Sequence, residues 1–345
     1  MPKSHPVHFQ DYQPLSSLIA DRQYSKVVVL VDDNTSHLCL PTLREHIETI
    51  EIIEIRSGEI HKNIATCTMI WQRMQDLGVD RHSLVINLGG GVIGDMGGFC
   101  AATYMRGIDF VQIPTTLLAQ VDASVGGKLG VDLNASKNMV GLIQDPAMVI
   151  IDTTYLKTLP SKQLRSGYAE VLKHGLITDA NYWNQHAITE WKGTSDWTST
   201  VKASVDIKQS IVSEDPTEKG LRKVLNYGHT VGHAIESYHL GSDSQLLHGE
   251  AIAIGMVCEA YMSYKLTGLS EASLRSITEG IIDIFGHHPS SVVDGKYLMP
   301  LIAMDKKNKG AIIRCTLLKA IGEAVYDQPI THEDIAEALA YYRDL

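Results

Sequence analysis

The stretch Asn226-Tyr227-Gly228-His229-Thr230-Val231-Gly232-His233 places two histidines four residues apart. On a helix they share one face, the geometry that holds a metal or pairs a ligand with an acid–base group. No glutamate follows the first histidine, as a zinc peptidase of the H-E-x-x-H type requires, so peptidase chemistry is disfavoured. Two ordinary surface histidines explain the same spacing, and spacing alone leaves both readings open. Candidate partners stand in AEVLKH, where Glu170 and Lys173 share a helical face, and in LHGE, where His248 starts an apolar run. A third ligand such as Glu170 would leave a coordination position open for a substrate.

Two glycine-rich segments carry different chemistry. LGGGVIGD, residues 88–95, follows an apolar strand and leads into a helix-compatible run. Glycines there let backbone amides approach a pyrophosphate, although the spacing is not the usual GxGxxG. VDASVGGKLG, residues 121–130, sets Asp122 and Lys128 in flexible backbone, with Lys137 and Asn138 close behind. Leu129 occupies the place where a Walker loop needs Ser or Thr, which excludes an ATP-binding P-loop. Lys208, Glu218, Arg222, Lys306 and Lys307 flank these segments. Singly each reads as a solvated charge; as a set they could surround an anion.

The elements that must position these groups fall into two textures. Lys26–Asp32, Ile50–Ile55, Leu84–Leu88, Phe110–Ile113 and Met148–Ile151 read as strands, with helical stretches such as Ile64–Leu77 and Met96–Met105 between them. That alternation predicts an α/β domain with a mostly parallel sheet. Beyond Lys162 the patterns become helical: Gln163–Ile177, Ser199–Glu214, Gly228–Tyr238, His248–Leu266, Ser270–Phe285 and Thr331–Tyr342, interrupted by one hairpin-like stretch at Gly310–Leu318. The expected boundary lies at the turn-like TLPSK, giving a domain over 1–160 and a mainly α-helical one over 161–345.

Composition bounds the function classes. With 44% apolar and 20% charged residues the chain of 345 can build a sizeable core, and no apolar run approaches membrane-spanning length. The first residues lack the apolar core of a signal peptide. Five scattered cysteines, Cys39, Cys67, Cys100, Cys258 and Cys315, form no CxxC pair and read as buried thiols of a reducing, cytoplasmic protein. A formal net charge of -10 argues against nucleic acid as a partner. The remaining histidines, among them His239, His287 and His288, sit in polar settings and read as surface residues.

Taken in order, GGGVIGDMGGFCAATYMRG, IPTTLLAQVDASVGGKLGVD, SKNMVGLIQDP, GYAEVLKHGLI, EKGLRKVLNYGHTVGHAIE, LHGEAIAIGM and DKK followed by KAIGEA resemble the 3-dehydroquinate synthase family, from about Asp32 to Val325. The resemblance implies a Rossmann-like NAD-binding domain, a helical metal- and substrate-binding domain, an active site in the cleft between them, and a homodimer. It implies zinc, with cobalt as a substitute, on Glu170, His229 and His248. His233 then becomes a substrate-facing proton carrier, so the resemblance splits the histidine pair that spacing alone would have kept together.

The resemblance also assigns NAD to Asp32, Asn34, Glu59, Lys62, Gly91, Val92, Asp95, Thr115, Thr116 and Lys137. It assigns a small anionic sugar phosphate to Arg106, Asp122, Lys128, Asn138, Lys173, Lys208, Arg222, Asn226 and Lys306, with Lys128, Lys173, Glu218 and His233 as the catalytic group. Many members carry Asn where Ser166 stands here. The implied reaction converts 3-deoxy-D-arabino-heptulosonate 7-phosphate to 3-dehydroquinate and phosphate by transient oxidation at C5, β-elimination, reduction, ring opening and aldol closure. A sister cyclase such as 2-deoxy-scyllo-inosose synthase is the nearer alternative, and a polyol dehydrogenase that releases NADH the more distant one.

Overall fold

The β-branched run Val27–Asp32 is buried along nearly its whole length, as a central strand covered on both faces must be. Its odd and even residues part accordingly. Val28 and Leu30 pack with Ile70 and Met74 on one face, while Val29 and Val31 pack with Leu15 and Leu43 on the other. The computed structural model describes residues 6–134, 136–188, 191, 196–242, 244–303 and 312–345. It divides into two units, Met1–Leu164 with Asp196–Gln209, and Arg165–Ser195 with Ser210–Leu345.

In the first unit the order is β1 (Val7–Phe9), α1 (Gln13–Arg22), β2 (Val27–Asp32), α2 (Asp33–Leu38), α3 (Leu40–Arg44), β3 (Glu51–Ile55), α4 (Ile64–Asp76), β4 (Leu84–Gly89), α5 (Gly91–Thr103), β5 (Asp109–Pro114), β6 (Lys128–Leu133), β7 (Ser136–Ile143) and β8 (Met148–Ile151). The main sheet runs β1-β8-β5-β4-β2-β3, with every described pair parallel. The chain leaves β2 towards β3 on one side and returns to β4 on the other. The C-terminal ends of β2 and β4 therefore flank a topological switch point, where open α/β sheets take their ligands.

The expected strands are all present in this sheet, and the expected parallel, Rossmann-like arrangement is the one found. The antiparallel hairpin β6–β7 was not anticipated. Gly130 lies opposite Gly141 within it, and glycines on a strand erase the alternation by which a strand is recognised.

The second unit follows as α6 (Ser161–Thr178), which begins in the first, then α7 (Ala180–Ile188), α8 (Trp197–Glu214), α9 (His229–His239), α10 (His248–Leu266), α11 (Glu271–Phe285), α12 (Gly295–Ala303), β9 (Ile313–Ala320), β10 (Glu323–Ile330) and α13 (His332–Arg343). Of α8, the residues up to Gln209 belong to the first unit. Residues 249–260 of α10 are buried without a break, so this helix is the hub of its unit, packed by α9, α11, α13 and β9. The hairpin-like stretch at Gly310–Leu318 resolves into β9 paired with β10. Helices α7 and α12 add to those read from periodicity. Among the described residues no helix is long and apolar enough to cross a membrane.

Candidate functional site

Three helices bring Glu170, His229 and His248 together. Glu170 lies on the fully buried stretch of α6, and the two histidines are the first residues of α9 and α10. Glu170 Oε1 is 3.7 Å from His229 Nε2 and 3.7 Å from His248 Nε2. The imidazole rings are 5.5 Å apart, and one ligand atom from each residue falls within 4.8 Å of the others. The second carboxylate oxygen, Glu170 Oε2, forms an ion pair with Lys173 one turn on, and both side chains are buried. One oxygen is thus engaged by Lys173 while the other faces both rings.

The outer nitrogens are held as well. His229 Nδ1 lies 2.9 Å from the Tyr227 carbonyl oxygen and donates to it, and His248 Nδ1 lies 3.2 Å from Glu236 Oε2. Each ring then turns Nε2 towards Glu170. Two imidazole nitrogens and a carboxylate oxygen are a donor set that fits a catalytic zinc ion, which would keep a fourth position for substrate. Burial pulls the His248 pKa down, but the Glu236 and Glu170 carboxylates outweigh it and hold it up at about 10. A cation entering here must displace that proton. His233 stands beside the group, its ring 4.9 Å from His229 and 5.8 Å from His248.

The starts of α9 and α10 are pinned by Ser166 and by residues, such as Glu259 and Arg165, that the sequence did not single out. Glu259, fully buried on α10, accepts hydrogen bonds from the N–H groups of Gly228 at 2.6 Å, Thr230 at 2.9 Å and Val231 at 3.3 Å. The N-terminus of α9 compensates its charge. Ser166 accepts from Gly249 N at 2.9 Å and so anchors the start of α10. Arg165 pairs with Glu250 at 2.8 Å, and Glu250 Oε2 in turn accepts from Leu247 N at 2.9 Å. A usable signal for Glu236 existed: His229, His233 and Glu236 follow at intervals of four and three, one continuous helical face.

In the first unit the residues assigned to a dinucleotide collect around the switch point. Asp32 ends β2, where its Oδ1 caps α2 by accepting from Asn34 N at 3.0 Å and Thr35 N at 2.8 Å. From β4 the chain passes through Gly90 into α5, whose first turn holds no acidic residue and whose N-cap has no side-chain bond. A Cβ on Gly90 would sit 3.0 Å from Thr116 Cγ2, so glycine admits the 115–123 segment against the turn. Thr115 N donates to Gly89 O at 2.9 Å, and Thr116 Oγ1 accepts from Ala119 N at 3.2 Å. Open amides on a glycine turn at such a crevice suit a pyrophosphate.

Beside them Lys62 donates to Asp95 Oδ2 at 2.6 Å and to Asn138 Oδ1 at 2.7 Å, and Lys137 pairs with Glu59 at 3.2 Å. Burial opposes the charge on Lys62, but Asp95, Glu59 and Asp132 more than restore it and raise its pKa. Asp122 Oδ1 accepts from the buried Lys208 at 2.7 Å.

Of the other assigned residues, Lys128 and Arg106 are exposed, the latter in the left-handed region at φ 71°. In the second unit Arg222 is buried and donates to the Pro216 carbonyl at 2.8 Å, and Asn226 donates to Glu218 Oε1 at 2.7 Å. Lys306 lies outside the described residues, as does Lys307. His239 is not a surface residue: it is buried, with Nδ1 2.8 Å from Ser244 Oγ and Nε2 3.3 Å from Val292 O. All five cysteines are free and buried, as expected.

Comparison with known proteins identifies the family. Residues 52–166 match the family model for the 3-dehydroquinate synthase N-terminal region, and residues 167–308 that for the C-terminal region. A 3-dehydroquinate synthase from Parabacteroides distasonis is 40% identical over 334 residues, 96% of this chain and 95% of the relative. Among solved structures, 2-epi-5-epi-valiolone synthase from Streptomyces hygroscopicus with NAD+ and Zn2+ bound superposes with a TM-score of 0.84 at 26% identity, covering 100% of this chain and 98% of the other. A 2-deoxy-scyllo-inosose synthase with carbaglucose-6-phosphate, NAD+ and Co2+ gives 0.83 at 25% identity, covering 98% and 96%. With both family models matched in sequence order and identity extending over nearly the whole length, the chain belongs to the 3-dehydroquinate synthase family.

Proposed function

We propose that the chain converts 3-deoxy-D-arabino-heptulosonate 7-phosphate to 3-dehydroquinate and phosphate, as a cytoplasmic homodimer using NAD and zinc, with cobalt able to replace zinc. The observation that carries the metal assignment is the single oxygen, Glu170 Oε1, placed 3.7 Å from each of two Nε2 atoms. NAD when bound supplies a reversible hydride acceptor for C5, and zinc a Lewis acid for the oxygen on that carbon.

The chain's own residues do the rest. Arg106, Lys128, Lys173, Lys208, Arg222 and Lys306 neutralise the carboxylate and phosphate and hold the substrate in a reactive geometry. Asp122, Asn138 and Asn226 take its hydroxyl groups. Glu59, Lys62, Asp95 and Lys137 form paired charges that orient the cofactor's sugar and phosphate atoms, together with Asp32, Asn34, Thr115, Thr116 and the Gly91–Val92 backbone. His233 and Glu218 carry protons to and from the substrate, and the departing phosphate itself accepts one during elimination.

A sister cyclase is the second reading. It is disfavoured because solved sister cyclases are 25–26% identical to this chain, whereas relatives named 3-dehydroquinate synthase reach about 40%. The test is incubation with the heptulosonate phosphate, catalytic NAD and zinc, following phosphate and 3-dehydroquinate together. Equimolar release of both is expected. Phosphate without dehydroquinate would point to a sister cyclase, and stoichiometric NADH to a dehydrogenase.

A further inference from the structure

We propose that Glu236 is a positioning residue for the metal centre: it holds the His248 ring so that Nε2, and not Nδ1, is presented to the cation. The inference rests on the assignment of Glu170, His229 and His248 as ligands.

The His248 ring spans two carboxylates, with Nδ1 3.2 Å from Glu236 Oε2 and Nε2 3.7 Å from Glu170 Oε1. A neutral imidazole has one N–H and one lone pair, and a carboxylate accepts only from the N–H. Glu236 therefore selects the tautomer with the proton on Nδ1 and leaves the Nε2 lone pair for the cation. Its charge also raises the basicity of the ring as a ligand.

The two histidines are oriented by different means. His229 donates to a backbone carbonyl, Tyr227 O at 2.9 Å, which no substitution removes, whereas His248 depends on a side chain. That side chain belongs to α9, the helix that carries His229, two turns further on. Glu236 is itself only 6% exposed, so the contact is built into the packing of α9 against α10 and is not a surface encounter. The ligand on α10 is in this way set by the helix bearing the other histidine ligand.

The geometry also allows a competing role. His233, Glu236 and His248 could gather a cation of their own through His248 Nδ1, their ligand atoms lying within 4.8 Å of one another. The buried Glu170, equidistant from two Nε2 atoms, favours the positioning role, because a cation on the alternative set would not use that oxygen.

The test measures zinc affinity of the metal-stripped full chain by competition with a fluorescent chelator, for wild type, Glu236→Ala, Glu236→Gln, His233→Ala and Glu170→Ala. The nitrogen of His248 that binds the metal, and hence its tautomer, is followed in parallel by nitrogen-15 NMR of the zinc-loaded proteins. Glu236→Ala should bind zinc about 10- to 100-fold more weakly. Glu236→Gln, which keeps an acceptor oxygen, should lose less, and His233→Ala should bind as wild type does. With zinc bound, the Nδ1–H tautomer with Nε2 on the metal should dominate in wild type and give way to a mixture in Glu236→Ala.

Wild-type affinity in Glu236→Ala overturns the proposal, as does equal loss in Glu236→Ala and His233→Ala, which would make Glu236 a ligand. If Glu170→Ala keeps full affinity, the ligand assignment itself has failed, and that outcome is separately visible. Should Glu236→Ala not fold by circular dichroism, the Gln variant decides by the same two readouts: unchanged affinity and tautomer overturn the proposal, a partial loss of both upholds it.

Discussion

The Glu259 carboxylate accepts a 2.6 Å hydrogen bond from the backbone N–H of Gly228, one residue before the histidine that opens α9. The acceptor is on α10 and fully buried, and two further α9 amides donate to it. A buried carboxylate is costly unless it is hydrogen-bonded. Here the free amides of a helix start meet that need, and one contact ties the two histidine-bearing helices together.

Glu259→Gln should therefore destabilise the metal-free protein by about 2 kcal/mol, since the amide keeps the volume but loses the charge-assisted bonds. Urea unfolding of the two proteins in the presence of chelator measures this. Equal midpoints with equal slopes would show that the cap contributes nothing.

His229→Ala should lose zinc and turnover together, whereas His233→Ala should retain zinc and lose turnover by about 10²- to 10⁴-fold, the usual scale for a proton-transfer group. Metal content by plasma emission, measured beside kcat, separates the two. Full zinc occupancy in His229→Ala would sink the ligand assignment.

Gly97 on α5 admits the Asn87 side chain of β4. A Cβ there would lie 2.1 Å from Asn87 Oδ1 and 2.6 Å from Leu30 Cδ2. Gly97→Ala should cost about 1–3 kcal/mol through overpacking. Asn87 is 1% exposed, and its side-chain oxygen and nitrogen find no hydrogen-bond partner among the described residues. Asn87→Ala should accordingly recover part of the Gly97→Ala loss. A double-mutant cycle in urea measures the coupling, and strict additivity would contradict it.

His186 is buried against Tyr168 and Tyr182, and burial lowers its pKa from the ordinary 6.5. The unfolded chain then binds the proton more readily than the folded one. The stability from keeping His186 neutral is fully present above about 6.5, and it is lost as the pH falls from there through the lower folded-state value. The thermal midpoint should drop between pH 7.5 and 5.5, and His186→Gln should flatten that slope. Parallel curves for the two proteins would rule His186 out as the titrating group.

The periodicities of the chain determined the parallel sheet and the helical second half, because continuous β-branched runs and long apolar faces admit few other layers. Ordered motifs likewise determined the family and, through it, the expectation that Glu170, His229 and His248 are the ligand trio. Spacing alone would have paired His229 with His233, since four residues on a helix is the only proximity a sequence displays. Only the tertiary structure decided that Glu170, 59 and 78 residues away from its histidine partners in the chain, offers one oxygen to both rings. It alone disclosed what the carboxylates of Glu236 and Glu259 hold. The spacing of His229, His233 and Glu236 put Glu236 on the histidine face of α9. Its partner on α10, and the whole role of Glu259, come from the docking of α9 on α10, and a contact between two helices is set by the packing of both.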